Sequence, residues 1–397
     1  MKIQLVPNDL TAKIKVLGVG GAGGNAINDM IASQMMGVDF IAANTDSQAL
    51  DKSMAPVKIQ LGASVTRGLG AGGDPEVGRK ASMEESEHIK QVLQGADMVF
   101  IAAGMGGGTG TGGSPVMAEI SRELGALTVA VVSKPFDFEG KMKRRLAEKG
   151  IEELREVVDT IITIPNDRLF SLSSKNSRIK DVFGMANEVL GFAVRGISDL
   201  IMVPGFINVD FADVRTVMKE RGMALMGTGI ASGGNRAGDA AHKAIASPLL
   251  EDISIRGARG ILINITSAPD ISMEELKEIC GIVQEEAHED AIIKWGLVWD
   301  EGLSEEIRVT VIATGIGKRA EAERAAWTHQ AMEPQIEDLD TPTILRNPEN
   351  PERAGEAAKN GAKKPMGAVA AKKFIVHPDL QYEENELDTP PFLRKAD

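Results

Sequence analysis

The chain is short of several things, and each shortage excludes a class of protein. Among its 397 residues stands a single cysteine, Cys280, so one chain can form neither a disulfide nor a multi-cysteine metal centre, and a reducing compartment suits it. Positive charge is in deficit: the formal net charge of −13 argues against nucleic acid as a partner, because a phosphate backbone needs a basic footprint. Five histidines are scattered and no protein-only metal cage is visible. The pattern GxxxxGK[ST] does not occur, which removes the P-loop NTPases. The opening MKIQLVPNDL lacks the apolar core of a signal peptide. Residues 98–118 carry no charge, but their glycines exclude a membrane span. A cytoplasmic, soluble protein is expected. What the chain does have is 43% hydrophobic residues, enough for a full core over two or three domains.

Strand-like and helix-like runs alternate through the first half. IKVLGVG, VDFIAANTD, VKIQLG, ADMVFIAAG, LTVAVVSKP and DTIITIPN read as strands. Residues 26–36 and 83–93 read as helices, and a further helix is expected to start at Ser114 and Pro115, a cap followed by proline at the first helical position. This alternation predicts an α/β fold with a Rossmann-like, doubly wound parallel sheet that binds ligands at the strand C-terminal ends. Residues 177–203 form a long helix, on which Ile179, Val182, Phe183, Ala186, Val189, Leu190, Ala193, Val194, Ile197, Leu200 and Ile201 make a wide apolar face. A second, smaller α/β domain follows over 204–317. RGARGILINITS, GLVWDE and EIRVTVIATGI are its strands, and a capping box of Ser272 and Glu275 opens a helix. Trp295 and Trp299 read as packing residues. The domains are therefore 1–11 as an N-terminal extension, 12–176, the helix 177–203, 204–317, a disordered linker over 318–386, and a terminal peptide over 387–397. Eight of the 17 prolines fall after residue 317, in a Pro-, Ala-, Glu- and Lys-rich stretch with few apolar clusters. Within it LDTPTILR, opening on Leu339 and closing on Arg346, recurs with six of eight positions identical as LDTPPFLR, opening on Leu387 and closing on Arg394.

Two glycine-rich stretches carry the chemistry, GVGGAGGN from residue 18 and GMGGGTGTG from residue 104. Backbone N–H groups converge on an anion only where side chains are absent, and each stretch leads into a helix N-terminus. Gly18, Gly20 and Gly23 fit the GxGxxG dinucleotide fingerprint, with Asp46 as a late acidic residue, and alone would suggest an NAD-dependent oxidoreductase. The second stretch is richer in amides than that fold needs, and Thr109 and Thr111 add hydroxyl donors. Together they suggest a polyphosphate held from two sides.

GGGTGTG resembles the phosphate-binding signature of the tubulin superfamily. In order and spacing, GVGGAGGN, ANTD, TRGLGAGGDP, KPFDFEG, IPND and NVDFADV resemble the tubulin/FtsZ family, over roughly residues 12–317. The resemblance implies a GTPase that assembles head to tail into the filaments of the bacterial division ring at midcell, with hydrolysis of GTP to GDP activated by polymerisation. It implies that Gly20, Gly21, Ala22, Gly23, Gly24, Asn25, Gly104, Gly107, Gly108, Thr109 and Gly110 hold the phosphates, with Mg2+ bound through the nucleotide. Glu139 would face the ribose, Asn166 and Asn187 would read guanine, and Phe183 would stack on the base. Lys143 stands where the family usually has Arg, a point charge in place of a bidentate fork, with Arg144 beside it. Asp210 and Asp213 stand three apart at an expected helix start. They suit a helix cap with a first-turn acid, and the family implies that, assisted by Asn208, they also orient the attacking water on a neighbour's nucleotide. LDTPPFLR resembles the family's docking peptide for a membrane-tethering adaptor such as FtsA and other division proteins, and the inner copy would make the tail bivalent. As a flexible coil, 318–386 would reach roughly 45 Å. No membrane insertion by the chain itself is expected. A filament that binds GTP without hydrolysing it is the remaining reading within the family.

Overall fold

The computed structural model describes residues 12–172, 178–203, 205–219, 222–247, 255 and 257–316. The N-terminal extension, the linker, the terminal peptide, both LDTP copies and Pro204 lie outside the described residues. The chain runs β1 (Ile14–Val19), α1 (Gly20–Ala32), β2 (Val38–Asn44), α2 (Ser47–Asp51), β3 (Val57–Gln60), α3 (Ala63–Thr66), α4 (Pro75–Glu84) and α5 (Ser86–Leu93). It continues with β4 (Met98–Gly104), α6 (Thr109–Glu123), β5 (Leu127–Lys134), α7 (Lys141–Val157), β6 (Thr160–Pro165), α8 (Asn166–Leu172) and the long helix α9 (Ile179–Met202). The last part holds α10 (Phe211–Met218), β7 (Gly222–Ser232), α11 (Arg236–Ile245), β8 (Gly260–Ser267), α12 (Met273–Glu286), β9 (Ile292–Trp299) and β10 (Glu306–Ile316).

All ten strands belong to one sheet in the order β3-β2-β1-β4-β5-β6-β7-β10-β8-β9. The strands β1 to β6 pair in parallel, as βαβ crossovers require. The second half is mixed: β10 lies antiparallel between β7 and β8, and β9 pairs in parallel with β8. The two halves meet at β6 and β7, over only three register pairs, from Thr160↔Gly222 to Ile162↔Ala224. The alternation of strand side chains separates the core into faces. On one face Val16, Phe100, Val129 and Ile162 pack with α1, α9 and α10, and this cluster continues to Met226, Leu262 and Ile312 in the second half. The other face of β1 to β6 is covered by α4, α5, α6 and α7, and the other face of the second half by α11 and α12. Helix α9 lies at the centre: Ala193, Val194, Ile197 and Leu200 are at most 1% exposed, and a buried Val, Ile or Leu side chain stabilises the fold by roughly 1.5–3 kcal/mol. Phe183 departs from that apolar face, being 41% exposed.

The structure moves several helix starts. Helix α1 begins six residues before the expected residue 26, inside the first glycine stretch, and α6 begins at Thr109, so that Pro115 is its seventh residue and not its first. The reason is close approach. A Cβ on Gly112 would lie 1.8 Å from the carbonyl oxygen of Pro75, so α6 and α4 pack backbone to backbone and tertiary contact overrides the weak helix propensity of glycine. Ser114 turns its hydroxyl inward, donating to the carbonyl of Gly110 at 2.6 Å, so it is no cap. The expected helix over 83–93 is two helices meeting at Glu85, and α4 has its own start signal, Asp74 as cap with Pro75 behind it. Strand β7, which its glycines hid from the pattern, is the further addition. The capping box of Ser272 and Glu275 is present, with both hydrogen bonds made.

Candidate functional site

Two neighbouring strand ends build the site. Strands β1 and β4 run in register from Ile14↔Met98 to Val19↔Ala103, so α1 and α6 start side by side where the parallel strands end. Their free N–H groups and dipole ends lie together there. Gly20 takes φ +72°, a conformation that a side chain disfavours. Thr45, just after β2, shares a 2.7 Å hydroxyl hydrogen bond with Thr109, tying the start of α6 to the end of β2. Thr111 was expected to offer its hydroxyl to a ligand. It is instead 3% exposed and accepts a 2.8 Å hydrogen bond from Gly106 N–H, closing the turn ahead of Gly107 and Gly108.

A cavity of about 260 Å³ opens at this point. Gly20, Gly21 and Ala22 line it from α1, and Gly104, Gly107, Gly108, Thr109 and Gly110 from the second glycine stretch. Glu139 and Lys143 close one side; Asn166, Phe183 and Asn187 close another. Glu139 is fixed at both oxygens: Oε1 accepts from Phe136 N–H at 2.9 Å and Oε2 from Lys143 Nζ at 3.0 Å. Arg144 turns away to Asp137 at 2.6 Å and Glu148 at 3.5 Å, so the cation on the cavity wall is Lys143. Phe183 and Asn187 sit one helical turn apart on α9, and Phe136 braces Phe183 edge to face at 5.1 Å. Asn166, at the β6–α8 junction, is 6% exposed, and its buried Oδ1 has no hydrogen-bond partner. A buried unpaired amide oxygen costs about 1–3 kcal/mol, and an N–H donor in the adjoining cavity would remove that cost.

The remaining residues of the first glycine stretch go elsewhere. Gly24 and Asn25 line a second cavity of about 200 Å³, which shares Gly20 and Gly21 with the first and reaches Asn28, Asn44, Asp46 and Gln48. Gly23 lines neither: its Cβ would lie 2.2 Å from the carbonyl oxygen of Ala102, so it lets α1 rest on β4. Asp46 caps α2, accepting from Gln48 N–H at 2.9 Å and Ala49 N–H at 3.4 Å.

The carboxylates of NVDFADV form a separate group. Asp210 is the N-cap of α10, its Oδ1 accepting from Asp213 N–H at 2.7 Å, as the cap reading expects. Asn208 Oδ1 accepts from Gly205 N–H at 2.7 Å. The Asp213 carboxylate meets Lys294 Nζ from β9 at 2.8 Å. A bridge between Ile207 and Leu297 fastens the loop to β9, and Phe206 stacks on Trp299 at 5.2 Å, so that Trp299 packs at the surface. None of Asn208, Asp210 and Asp213 lines either cavity.

Residues 13–174 match the family model described as Tubulin/FtsZ family, GTPase domain, and residues 222–317 that described as FtsZ family, C-terminal domain. The chain is 49% identical to the cell division protein FtsZ of Pseudomonas aeruginosa, over 97% of both chains. It belongs to the tubulin/FtsZ family. The cell division protein FtsZ of Azotobacter vinelandii is likewise 49% identical, over 99% of both. Among solved structures, an empty FtsZ dimer from M. jannaschii superposes with a TM-score of 0.75 at 45% identity, covering 79% of this chain and 90% of that one. As a tubulin/FtsZ member the chain is a GTPase of the cell-division cytoskeleton. The oxidoreductase reading of Gly18, Gly20 and Gly23 falls with this assignment: the fingerprint belongs to a tubulin-like GTPase domain.

Sequence reasoning missed part of each region. Ser133, Pro135 and Met105 line the first cavity, and Asn44, Gln48 and Asn28 the second. Pro135 and Asn44 stand inside KPFDFEG and ANTD, which carry the family resemblance, so the signal was present without a role attached. Lys294 had no signal at all, because its partner lies 81 positions away in sequence.

Proposed function

We propose that this tubulin/FtsZ-family GTPase binds GTP in the cavity between α1, α6 and α9, and hydrolyses it only where a second copy of the chain covers that cavity. The observation that carries the binding half is the unpaired, buried Oδ1 of Asn166 beside the exposed ring of Phe183. Guanine presents N–H donors on its edge and a flat face, which suits an amide oxygen and an aromatic ring. Asn187 reads the same edge, and Glu139 accepts from the ribose. The phosphates lie on the amides of Gly20 to Asn25 and Gly107 to Gly110, with Lys143 as counter-charge; Gly23 supports this stretch by packing. Among the described residues no cluster of three or more His, Cys, Asp or Glu side chains is placed to hold a metal. In this reading Mg2+, a hard ion that keeps several waters, would be held through the nucleotide. The oxygens of Asn44, Asp46 and Gln48 in the adjoining cavity are of the donor type it accepts. Such an ion would supply positive charge against the charge of the phosphates.

The hydrolytic half is Asp210 and Asp213, assisted by Asn208. Each carboxylate uses Oδ1 to hold the local structure, and Oδ2 is left to orient a water. Because these groups line neither cavity, they act on the nucleotide of a neighbouring subunit. Such a contact is heterologous, and repetition makes a filament that does not close. The dimer solved for the M. jannaschii relative supports self-association. In the cell the filament forms the division ring at midcell, tethered through LDTPPFLR, and through its inner copy, to a membrane-bound adaptor such as FtsA; deleting 339–346 should lower adaptor avidity. The domain limits 12–176, 177–203 and 204–317 assign binding to the first two, since Phe183 and Asn187 stand on the helix, and hydrolysis to the third. GTP turnover per subunit, measured against protein concentration, tests the shared site: it should rise with assembly. Turnover independent of concentration would overturn it.

A further inference from the structure

We propose that Lys294 is a positioning residue of the hydrolytic half-site, holding the Asp213 carboxylate in the orientation it needs on a neighbour's nucleotide; this rests on the shared-site reading above. Strand β9 carries an anomaly of pattern at Lys294. It is the last strand of the sheet, paired with β8, and its register sets Lys294 opposite Leu262, which is fully buried on the face covered by α9 and α10. Period-2 alternation calls for an apolar side chain or glycine there, and Gly296, the next residue on that face, packs within reach of Leu200 and Val209. A lysine at such a place is tolerated when its stem packs and its ammonium finds a partner. The partner is Asp213 Oδ1 at 2.8 Å.

This pair joins two other constraints. Asp213 N–H donates to Asp210 Oδ1, and the loop before it is fastened to the same strand through Ile207 and Leu297. Asp210 and Asp213 at the start of α10 and Lys294 on β9 therefore form one linked unit. Lys294 fixes the side-chain torsion that the cap hydrogen bond, made by the Asp213 backbone, leaves open. As a stability element the pair is minor: both side chains are more than a third exposed, and solvent screens such ion pairs. As a positioning element it matters more, since misplacing a reacting group by about 1 Å costs up to roughly a hundredfold in rate.

The test compares full-length Lys294→Met, Lys294→Arg, Asp213→Ala and the unaltered chain. Three quantities are read: affinity of the monomer for a fluorescent guanine nucleotide, assembly driven by a slowly hydrolysed GTP analogue, and GTP turnover at saturating assembly. Lys294→Met should leave nucleotide affinity unchanged and analogue-driven assembly within about threefold, while kcat per assembled subunit falls roughly tenfold or more. Lys294→Arg, which keeps the charge, should recover kcat to within about threefold. If Lys294→Met turns over normally once assembled, or loses turnover only in proportion to lost assembly, the proposal is wrong. If Asp213→Ala also turns over normally, the failure belongs to the shared-site reading itself.

Discussion

The nucleotide end and the carboxylate end of the molecule are built on opposite plans. At the first, the wall is mostly backbone: glycines at the starts of α1 and α6 remove side chains and leave the amides lining a concave surface. At the second the working groups are side chains: Asp210, Asp213 and Lys294 stand on a capped helix start and an edge strand, lining neither cavity. The contrast teaches a division of labour. Backbone amides bind phosphate whatever state the chain is in, whereas exposed carboxylates do nothing until a substrate is brought to them. On the proposed reading, a pre-built receptor and a delivered reagent would make hydrolysis depend on assembly.

The sharpest way to break this comparison is Asp213→Ala. It should lower turnover at saturating assembly by about a thousandfold while leaving monomer affinity for GTP unchanged; equal losses in both, read by turnover and nucleotide titration, would erase the distinction. Asn166→Ala is the converse. It removes a group from the receptor only, so the Kd for GTP should rise roughly ten- to a hundredfold, with turnover per bound nucleotide little altered. Asp199 on α9, the helix between the two ends, tests what joins them. Burial, the first cause, pushes its carboxyl up to about 6 against the opposing pull of Arg195 and Arg308. The folded state therefore binds the proton more tightly than the unfolded chain. This stabilisation is complete below about pH 4 and is lost as pH rises through 6. Asp199→Asn should leave stability at pH 4 nearly unchanged and raise it by about 3 kcal/mol at pH 7, as denaturant midpoints at the two pH values would reveal. The smallest effect is expected for Lys143→Arg, which alters a cation on the cavity wall. Turnover should change by less than about threefold, because Glu139 already holds this side chain at 3.0 Å.

How far each end could be read from sequence follows the same contrast. The receptor was legible because its signal is local. Glycine runs after apolar strands advertise anion-binding turns, and Phe183 and Asn187 stand one turn apart on a helix whose face was plain. Backbone-to-backbone contact hid the true start of α6, since nothing in GTGTGGSP announces that Pro75 will lie over Gly112. Likewise the glycines of β7, two of which would clash with carbonyls of α11 if they carried a Cβ, erased its strand pattern. The reagent end was legible only at Asp210 and Asp213, where a helix cap has a local signature. Lys294 reaches Asp213 across the sheet edge, and a pairing that depends on strand register is invisible until the register is known.

The contact between α4 and α6 has a consequence for any compound that competes for the cavity. Mutational escape works by changing side chains, and the first turn of α6 presents hardly any to change. Its donors are amide N–H groups that every residue but proline retains. Behind them, Gly112 has no room for even a methyl group beside the Pro75 carbonyl. A ligand anchored on that turn would meet atoms that a single codon change can scarcely remove without unseating the helix.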